Sequence, residues 1–247
     1  MIINAYTLVK NEELMLPFYL NHYEKISDKM VIYNNNSTDK TVEIAKSNNK
    51  VEIRNFEMNG WDDQAITDLY NNCWKESRGK ADWVIICSVD EILYHPNLRD
   101  YLEMCKNELI TIPRTMGFSM LAENEEIYDN LEFFKNQQIY DLIKTGTYWK
   151  EDSKFMVFNP VIDINFELGC HKAHPTGQVK YDKISALKNL HFSLRGLKHS
   201  LAKNKLYRDS ASQMNIDLKL GYHRMDDDYF IKTNYFPVKK YMQKIIE

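Results

Sequence analysis

The chain has no cysteine pair at a Cys-x-x-Cys spacing. Cys73, Cys87, Cys105 and Cys170 are scattered, and none stands at a zinc-like distance from a histidine. Stability therefore needs no disulfide framework or structural zinc, and Cys73 and Cys87, set in apolar stretches, read as small buried hydrophobes. Excess positive charge is missing too. With 27% charged residues and a formal net charge of -3, no field is available to neutralise many phosphates, which excludes a polymeric nucleic acid as partner. No run approaches the roughly 20 apolar residues needed to span a bilayer. Met1-Ile2-Ile3-Asn4-Ala5-Tyr6 lacks the charged start and sustained apolar run of a secretory leader. The expectation is a soluble, cytoplasmic protein that contacts a membrane at most peripherally, on its inner face.

What is present is enough for a sizeable core: 247 residues, 44% of them hydrophobic. The first half alternates strand-like and helix-like segments, the pattern of a mostly parallel sheet with helices on its faces. The reading is a strand at Ile2–Val9, then a helix at Glu12–Ile26 with Leu14, Leu16, Phe18, Leu20 and Tyr23 on one face and Pro17 as its weak point. A short strand at Met30–Tyr33 precedes a helix that starts in the turn-forming run Asn34-Asn35-Asn36-Ser37-Thr38-Asp39. Val51–Phe56 reads as the third strand. Asp62 or Asp63 caps a helix with Ala65, Leu69, Cys73 and Trp74 as its buried stripe, stopped by Gly79. Asp82 to Val89 is the strongest strand, a nearly continuous apolar run suited to the sheet centre. A helix at Asn97–Met104 and a strand at Leu109–Pro113 follow. Beyond Met116 the pattern weakens: Tyr148–Val161 and Gly177–Tyr181 look extended, and the chain from Arg195 onward is helical in parts, with a polar interruption at 222–228. There is no internal repeat and no low-complexity linker.

Loops leaving neighbouring parallel strands meet at the carboxyl edge of the sheet, so residues distant in sequence converge there. Three such loops are polar here: Lys10-Asn11-Glu12, the run from Asn34 through Asn36 to Asp39, and Ser88-Val89-Asp90-Glu91. Each alone has a plain alternative as a helix cap or solvated strand end. Their order and spacing, with Leu16-Pro17 after the first and Lys40-Thr41 after the second, resemble glycosyltransferase family 2, and most closely the branch containing the family 92 transferases. Lys188-Asn189-Leu190-His191-Phe192-Ser193-Leu194-Arg195 is similar to the histidine-containing segment that follows the catalytic core in that branch, and Gly169-Cys170-His171 to a Gly-x-His element.

The resemblance implies a GT-A type α/β fold: a nucleotide-sugar-binding half at 1–115 and an irregular acceptor-binding half with C-terminal helices at 116–247, in one continuous domain. It implies a nucleoside diphosphate sugar donor, UDP by default, and a glycan or lipid-linked acceptor in surface polysaccharide synthesis. Lys10, Glu12, Asn34, Asn36 and Asp39 would face the nucleoside, with Gln64, Ser88, Glu91 and Arg195 nearby and His171 in the acceptor pocket. The family's Asp-x-Asp motif falls on Ser88-Val89-Asp90, so Ser88 replaces the first aspartate. Asp90 and His191 would hold Mn²⁺ or Mg²⁺, oxygen-seeking cations that neutralise a diphosphate leaving group. Inversion also requires a carboxylate base. Glu123, Asp129, Glu151, Asp152 and Glu167 are available; Glu151 and Asp152 are favoured because Lys150-Glu151-Asp152 is a polar step between apolar segments, with a charged turn as the plain alternative. The basic, partly amphipathic segment from Lys239 to Ile246 reads as a terminal helix able to rest on an anionic membrane.

Two other readings stand beside this one. A sugar nucleotidyltransferase shares the plan but ordinarily carries a glycine-rich basic loop after its first strand, where this chain has Val9-Lys10-Asn11-Glu12-Glu13. A non-catalytic nucleotide- or glycan-binding module is suggested by Ser88, and opposed by the joint retention of Asp39, Asp90 and His191.

Overall fold

The computed structural model describes residues 1–221, 224 and 226–247, so the polar interruption expected at 222–228 lies partly outside the described residues. The protein is mixed α/β, with a parallel sheet flanked by helices. In chain order it runs β1 (Ile3–Val9), α1 (Leu16–Tyr23), β2 (Lys29–Asn34), α2 (Thr41–Lys46), β3 (Val51–Asn55), α3 (Asp63–Asn72), β4 (Trp83–Ile86), β5 (Glu91–Tyr94), α4 (Leu98–Asn107) and β6 (Thr115–Met120). Then come α5 (Ile139–Leu142), β7 (Thr145–Tyr148), β8 (Val157–Phe158), β9 (Asp163–Phe166), β10 (Ala173–Thr176), β11 (Leu187–His191) and α6 (Gly196–Ser210). The last elements are α7 (Gln213–Asp217), α8 (Asp227–Phe230), α9 (Phe236–Tyr241) and β12 (Gln243–Lys244).

The first sheet has the order β3-β2-β1-β4-β8, its first four strands parallel and β8 antiparallel. Ile3, Ala5, Val9, Met30, Ile32, Trp83 and Ile85 are buried in its main core, while Tyr6, Val31, Val84 and Ile86 pack with Trp74 and Phe158 in a second cluster. Burial of both side-chain sets of these strands explains their near-continuous apolar sequence. The second sheet has the order β12-β7-β6-β11-β5. Sequence from each half enters the other's sheet: β8 closes the first, and β5 edges the second.

Several elements differ from the sequence reading. The chain turns at Glu12, whose carbonyl accepts from Met15 and Leu16, so α1 starts later and Leu14 is left exposed. Pro17 sits in the first turn of α1, where its missing N–H costs nothing. Asn34 ends β2, and the rest of the run to Asp39 is a loop that precedes α2. Asp62 does cap α3 by accepting from the Ala65 N–H, and Gly79 has a positive φ of 72° as a stop signal requires; the fully buried positions of that stretch are Thr67, Tyr70, Cys73 and Trp74, with Ala65 and Leu69 half-buried.

The run from Asp82 breaks after Ile86, because a turn at Ser88–Glu91 redirects the chain into the second sheet. Leu109–Pro113 is not a strand and makes only an isolated bridge from Ile112 to Tyr181; the ladder starts at Thr115, beyond Pro113, which has no N–H to offer. The extended reading of Tyr148–Val161 is interrupted by a 3-10 turn at Lys150–Asp152, and Gly177–Tyr181 makes only an isolated bridge through Tyr181. The terminal segment is no amphipathic helix through Ile246: β12 pairs with β7, and Ile245 and Ile246 are buried. Among the described residues no helix is long and apolar enough to cross a membrane.

Gly117 in β6 gives the Lys150–Asp152 turn its place. A Cβ there would lie 2.1 Å from the Asp152 carbonyl carbon and 2.4 Å from the Ser153 nitrogen, both backbone atoms. Gly117→Ala is therefore expected to push the turn off the sheet, at a cost of about 3 kcal/mol in urea unfolding, and to loosen every contact that Asp152 makes.

Candidate active site

The centre of the site is the turn between the sheets. Val89 and Asp90 occupy it, the Ser88 carbonyl accepts from the Glu91 N–H at 3.0 Å, and the Ser88 N–H donates to the Glu91 carboxylate at 2.9 Å. Asp90 thus lies just past the carboxyl end of β4, where an open parallel sheet presents its binding crevice. Register supplies the neighbours. His191 pairs with Glu91 across β11 and β5 and with Ser119 across β11 and β6, and Asn189 lies two residues back on the same face. Asp152 is carried over this row by the turn seated on Gly117.

The side chains form a nearly closed charge network. Asp152 accepts from His191 Nδ1 at 2.8 Å through one oxygen and from the Ser119 hydroxyl at 2.9 Å through the other. Glu91 Oε1 holds Lys154 Nζ at 2.7 Å and the Asn189 amide at 3.1 Å. Asp90 Oδ2 holds Lys203 Nζ at 2.9 Å, with Arg195 Nη2 at 3.6 Å, and Arg195 also donates to Glu12 at 3.2 Å. Glu12, Asp90, Glu91 and Asp152 are balanced by Lys154, Arg195, Lys203 and a protonated His191.

The protonation states follow from this geometry. Burial acts against a charged His191, but Asp152 on Nδ1 and Asp90 beside Nε2 outweigh it and push its pKa up to about 10. Burial likewise opposes the charge of Asp90, yet Lys203, His191 and Arg195 hold that carboxyl well below the usual range. Glu91 is also lowered, burial being outweighed chiefly by Lys154.

The residues fit a divalent cation at one place. Asp90 Oδ1 faces His191 Nε2 at 3.7 Å, and neither atom has another partner among the described residues. Two ligand atoms bound to one cation at about 2.1 Å each can stand that far apart. His191 has its other nitrogen on a buried carboxylate, the arrangement that fixes a metal-binding imidazole. Glu91, Asp152 and His191 also bring ligand atoms within 4.8 Å of one another. That grouping is the poorer fit, because the Lys154 ammonium already fills the cation position and Asp152 is bound to the histidine.

Not every expected residue joins this centre. Asp39 ties two loops just before α2, accepting from the Thr41 N–H at 2.9 Å and the Glu13 N–H at 3.1 Å. Asn11 and Asn36 take positive φ values of 53° and 49°, which asparagine tolerates, and Asn34 accepts from Ser37 within the same loops. Lys10 is exposed, and Gln64 is exposed with its amide on Asp68. Asp129 pairs with Lys198 and His199, Glu167 with His174, and Glu123 is exposed away from the cluster.

A cavity of about 430 Å³ opens beside the network, lined in part by Ser119, Glu151, Asp152, His171, His191, Lys203 and Asn204, with Trp149 and Phe230 as apolar walls. His171 lies on its rim, with Nδ1 2.9 Å from the Glu151 carbonyl. A larger hollow of about 910 Å³ around Glu123, Phe133 and Lys144 contains none of the network residues. Lys154, Lys203, Asn189 and Ser119 were not singled out by sequence; the only signal for Lys154 was its place two residues after Asp152.

A scan against protein families finds no match, and a search of curated proteins finds none. A search of solved structures finds partial matches. S. aureus TarS 1-349 has 10% identity, over 96% of this chain and 73% of that one, with a TM-score of 0.44. A longer S. aureus TarS chain has 10% identity over 86% of this chain and 41% of its own, with a TM-score of 0.43. Glucosyl-3-phosphoglycerate synthase from Mycobacterium tuberculosis, in complex with Mn²⁺, uridine diphosphate and glucosyl-3-phosphoglycerate, has 15% identity over 52% of this chain and 46% of that one, with a TM-score of 0.32. This chain spans less than half the length of the longer TarS chain and of the synthase.

Proposed function

We propose that the protein is a metal-dependent glycosyltransferase of GT-A type, moving a sugar from a nucleoside diphosphate, UDP first among candidates, to a glycan or lipid-linked hydroxyl with inversion. The observation that carries this reading is the facing pair Asp90 Oδ1 and His191 Nε2 at 3.7 Å, at the carboxyl edge of the parallel sheet, with His191 held from behind by Asp152.

A divalent cation bound between them would offset the negative charge that grows on the diphosphate as its bond to the sugar breaks. Asp152 keeps the imidazole turned toward Asp90, while Ser119 and Asn189 keep Asp152 in place. With both oxygens committed, Asp152 is an orienting group. Base duty goes to Glu151, exposed at the cavity rim, which takes the acceptor hydroxyl's proton as that oxygen attacks the anomeric carbon. The acceptor occupies the Trp149 side of the 430 Å³ cavity, where that ring supplies a flat apolar face to a sugar. The nucleoside lies over the stitched loops that carry Glu12 and Asp39.

The test is a thermal-shift screen of UDP, GDP, CDP and dTDP with and without Mn²⁺, followed by hydrolysis or transfer assays with the matching nucleotide sugar. A ligand at about 100 times its dissociation constant stabilises the fold by about 2.7 kcal/mol. One nucleotide should do so only with metal. With its pKa pushed up to about 10, His191 carries a proton that the cation must displace, so the metal-dependent shift should grow between about pH 6.5 and about pH 8.5. Binding without turnover would favour the non-catalytic module, and no response to any nucleotide would end the reading.

A further inference from the structure

Lys203 is the residue that the proposed chemistry leaves unexplained. It projects from α6, 113 residues from Asp90 in sequence, and its ammonium lies 2.9 Å from Asp90 Oδ2 with its side chain one-third exposed. An ammonium on a metal-binding carboxylate and a divalent cation on the same carboxylate repel each other strongly across so short a distance. The two cannot hold Asp90 together unless a new anion arrives. Ser88, where a second carboxylate would otherwise share the cations, offers no negative charge.

Lys203 has somewhere to go. Its neighbour Asn204 is 4% exposed, lines the same cavity, and has a buried amide nitrogen with no hydrogen-bond partner among the described residues. Arg195 Nε is a second buried donor without a partner among the described residues, on a side chain that also reaches Asp90. Buried donors are rarely left unpaired; ordered water or a ligand completes them. Lys203 Nζ and Arg195 Nη2 meet at Asp90 Oδ2, and Asn204 follows Lys203 on the cavity wall, a set of donors that acceptor oxygens can satisfy. A diphosphate is such an acceptor: it has more oxygens than a divalent cation takes, and it gains a further negative charge as the sugar leaves.

We infer that Lys203 is an exchanging counter-ion: it neutralises Asp90 in the metal-free protein, yields that carboxylate to the divalent cation, and then pairs with the donor diphosphate beside Asn204 and Arg195. This rests on the metal and nucleotide reading of the site. Lys203 thereby makes metal binding depend on the nucleotide, since the cation alone must evict an ammonium that has no other anion to meet, whereas cation and diphosphate together provide one.

The experiment is titration of Mn²⁺ alone, and then of UDP at saturating Mn²⁺, into wild type, Lys203→Met and Lys203→Arg, followed by calorimetry and by the electron paramagnetic resonance of free Mn²⁺. Lys203→Met should bind Mn²⁺ alone about tenfold more tightly than wild type and bind UDP with Mn²⁺ about tenfold more weakly. Lys203→Arg, which keeps the charge and grips a carboxylate in two places, should bind Mn²⁺ alone no better than wild type. Equal or weaker Mn²⁺ binding by Lys203→Met, with wild type binding normally, overturns the exchange and leaves the glycosyltransferase reading standing. Failure of wild type and both variants to bind Mn²⁺ with or without any nucleotide overturns both.

Discussion

Asp90→Asn is expected to abolish Mn²⁺-dependent nucleotide binding and to lower kcat/KM by about three orders of magnitude or more. The amide keeps the size and the turn of the native side chain, so the loss isolates its charge. That charge does two things. It offers Oδ1 to the cation opposite His191 Nε2, and it balances Lys203 and Arg195 on its other side. An asparagine would leave these two cations and a protonated His191 facing a neutral group, so the site would repel Mn²⁺ as well as fail to ligate it. Loss of activity with the nucleotide-metal stabilisation intact would move the metal elsewhere, to the Glu91, Asp152 and His191 grouping. Unaltered activity would remove Asp90 from the chemistry altogether.

The two residues of that pair were legible in the sequence for different reasons. Asp90 ends the most apolar strand of the chain, where a carboxylate at the carboxyl edge stands out against its surroundings. His191 was found through the resemblance of the segment around it, and β11 carries it across the second sheet to Glu91. The lysines were not legible. Lys203 lies in a helix rich in lysine and polar residues, where a charged side chain reads as solvated surface, and its partner is 113 residues away. Lys154 is flanked by the apolar stretch of β8, which suggests burial but not a charge partner. The fold shows the same division. β1, β2 and β4 could be read because parallel strands buried on both faces are largely apolar, whereas β6, with Gly117 in its middle and Pro113 just before it, resembles a turn. The need for that glycine is visible only when the Lys150–Asp152 turn lies 2.1 Å from its missing Cβ.

Lys154→Met is expected to give the largest loss of stability in the site, about 3–5 kcal/mol at pH 8, because it strands Glu91 as a buried charge. The Lys154 and Glu91 side chains are 13% and 2% exposed, and their charged atoms are 2.7 Å apart. The remaining Glu91 partners, the Ser88 N–H and the Asn189 amide, are neutral. The size of the effect should depend on pH, with a definite sign. In wild type Glu91 has a lowered pKa, burial being outweighed by Lys154, so its stabilisation is present above the ordinary value of about 4.3 and fades as pH falls through the folded value. In the variant burial is opposed only by the His191 charge and the Ser88 N–H, so the folded pKa moves up from the wild-type one, and the penalty is present at pH 8 and relieved as acid protonates the carboxyl. Urea unfolding should therefore show a gap between variant and wild type that narrows from pH 8 to pH 5. Glu91→Gln combined with Lys154→Met removes both charges, and should recover more than half of the loss at pH 8. A single variant within about 1 kcal/mol of wild type at pH 8, the range of an exposed ion pair, would mean that water reaches Glu91 and that the Glu91–Lys154 pair does not hold the two sheets at the Asp90 turn.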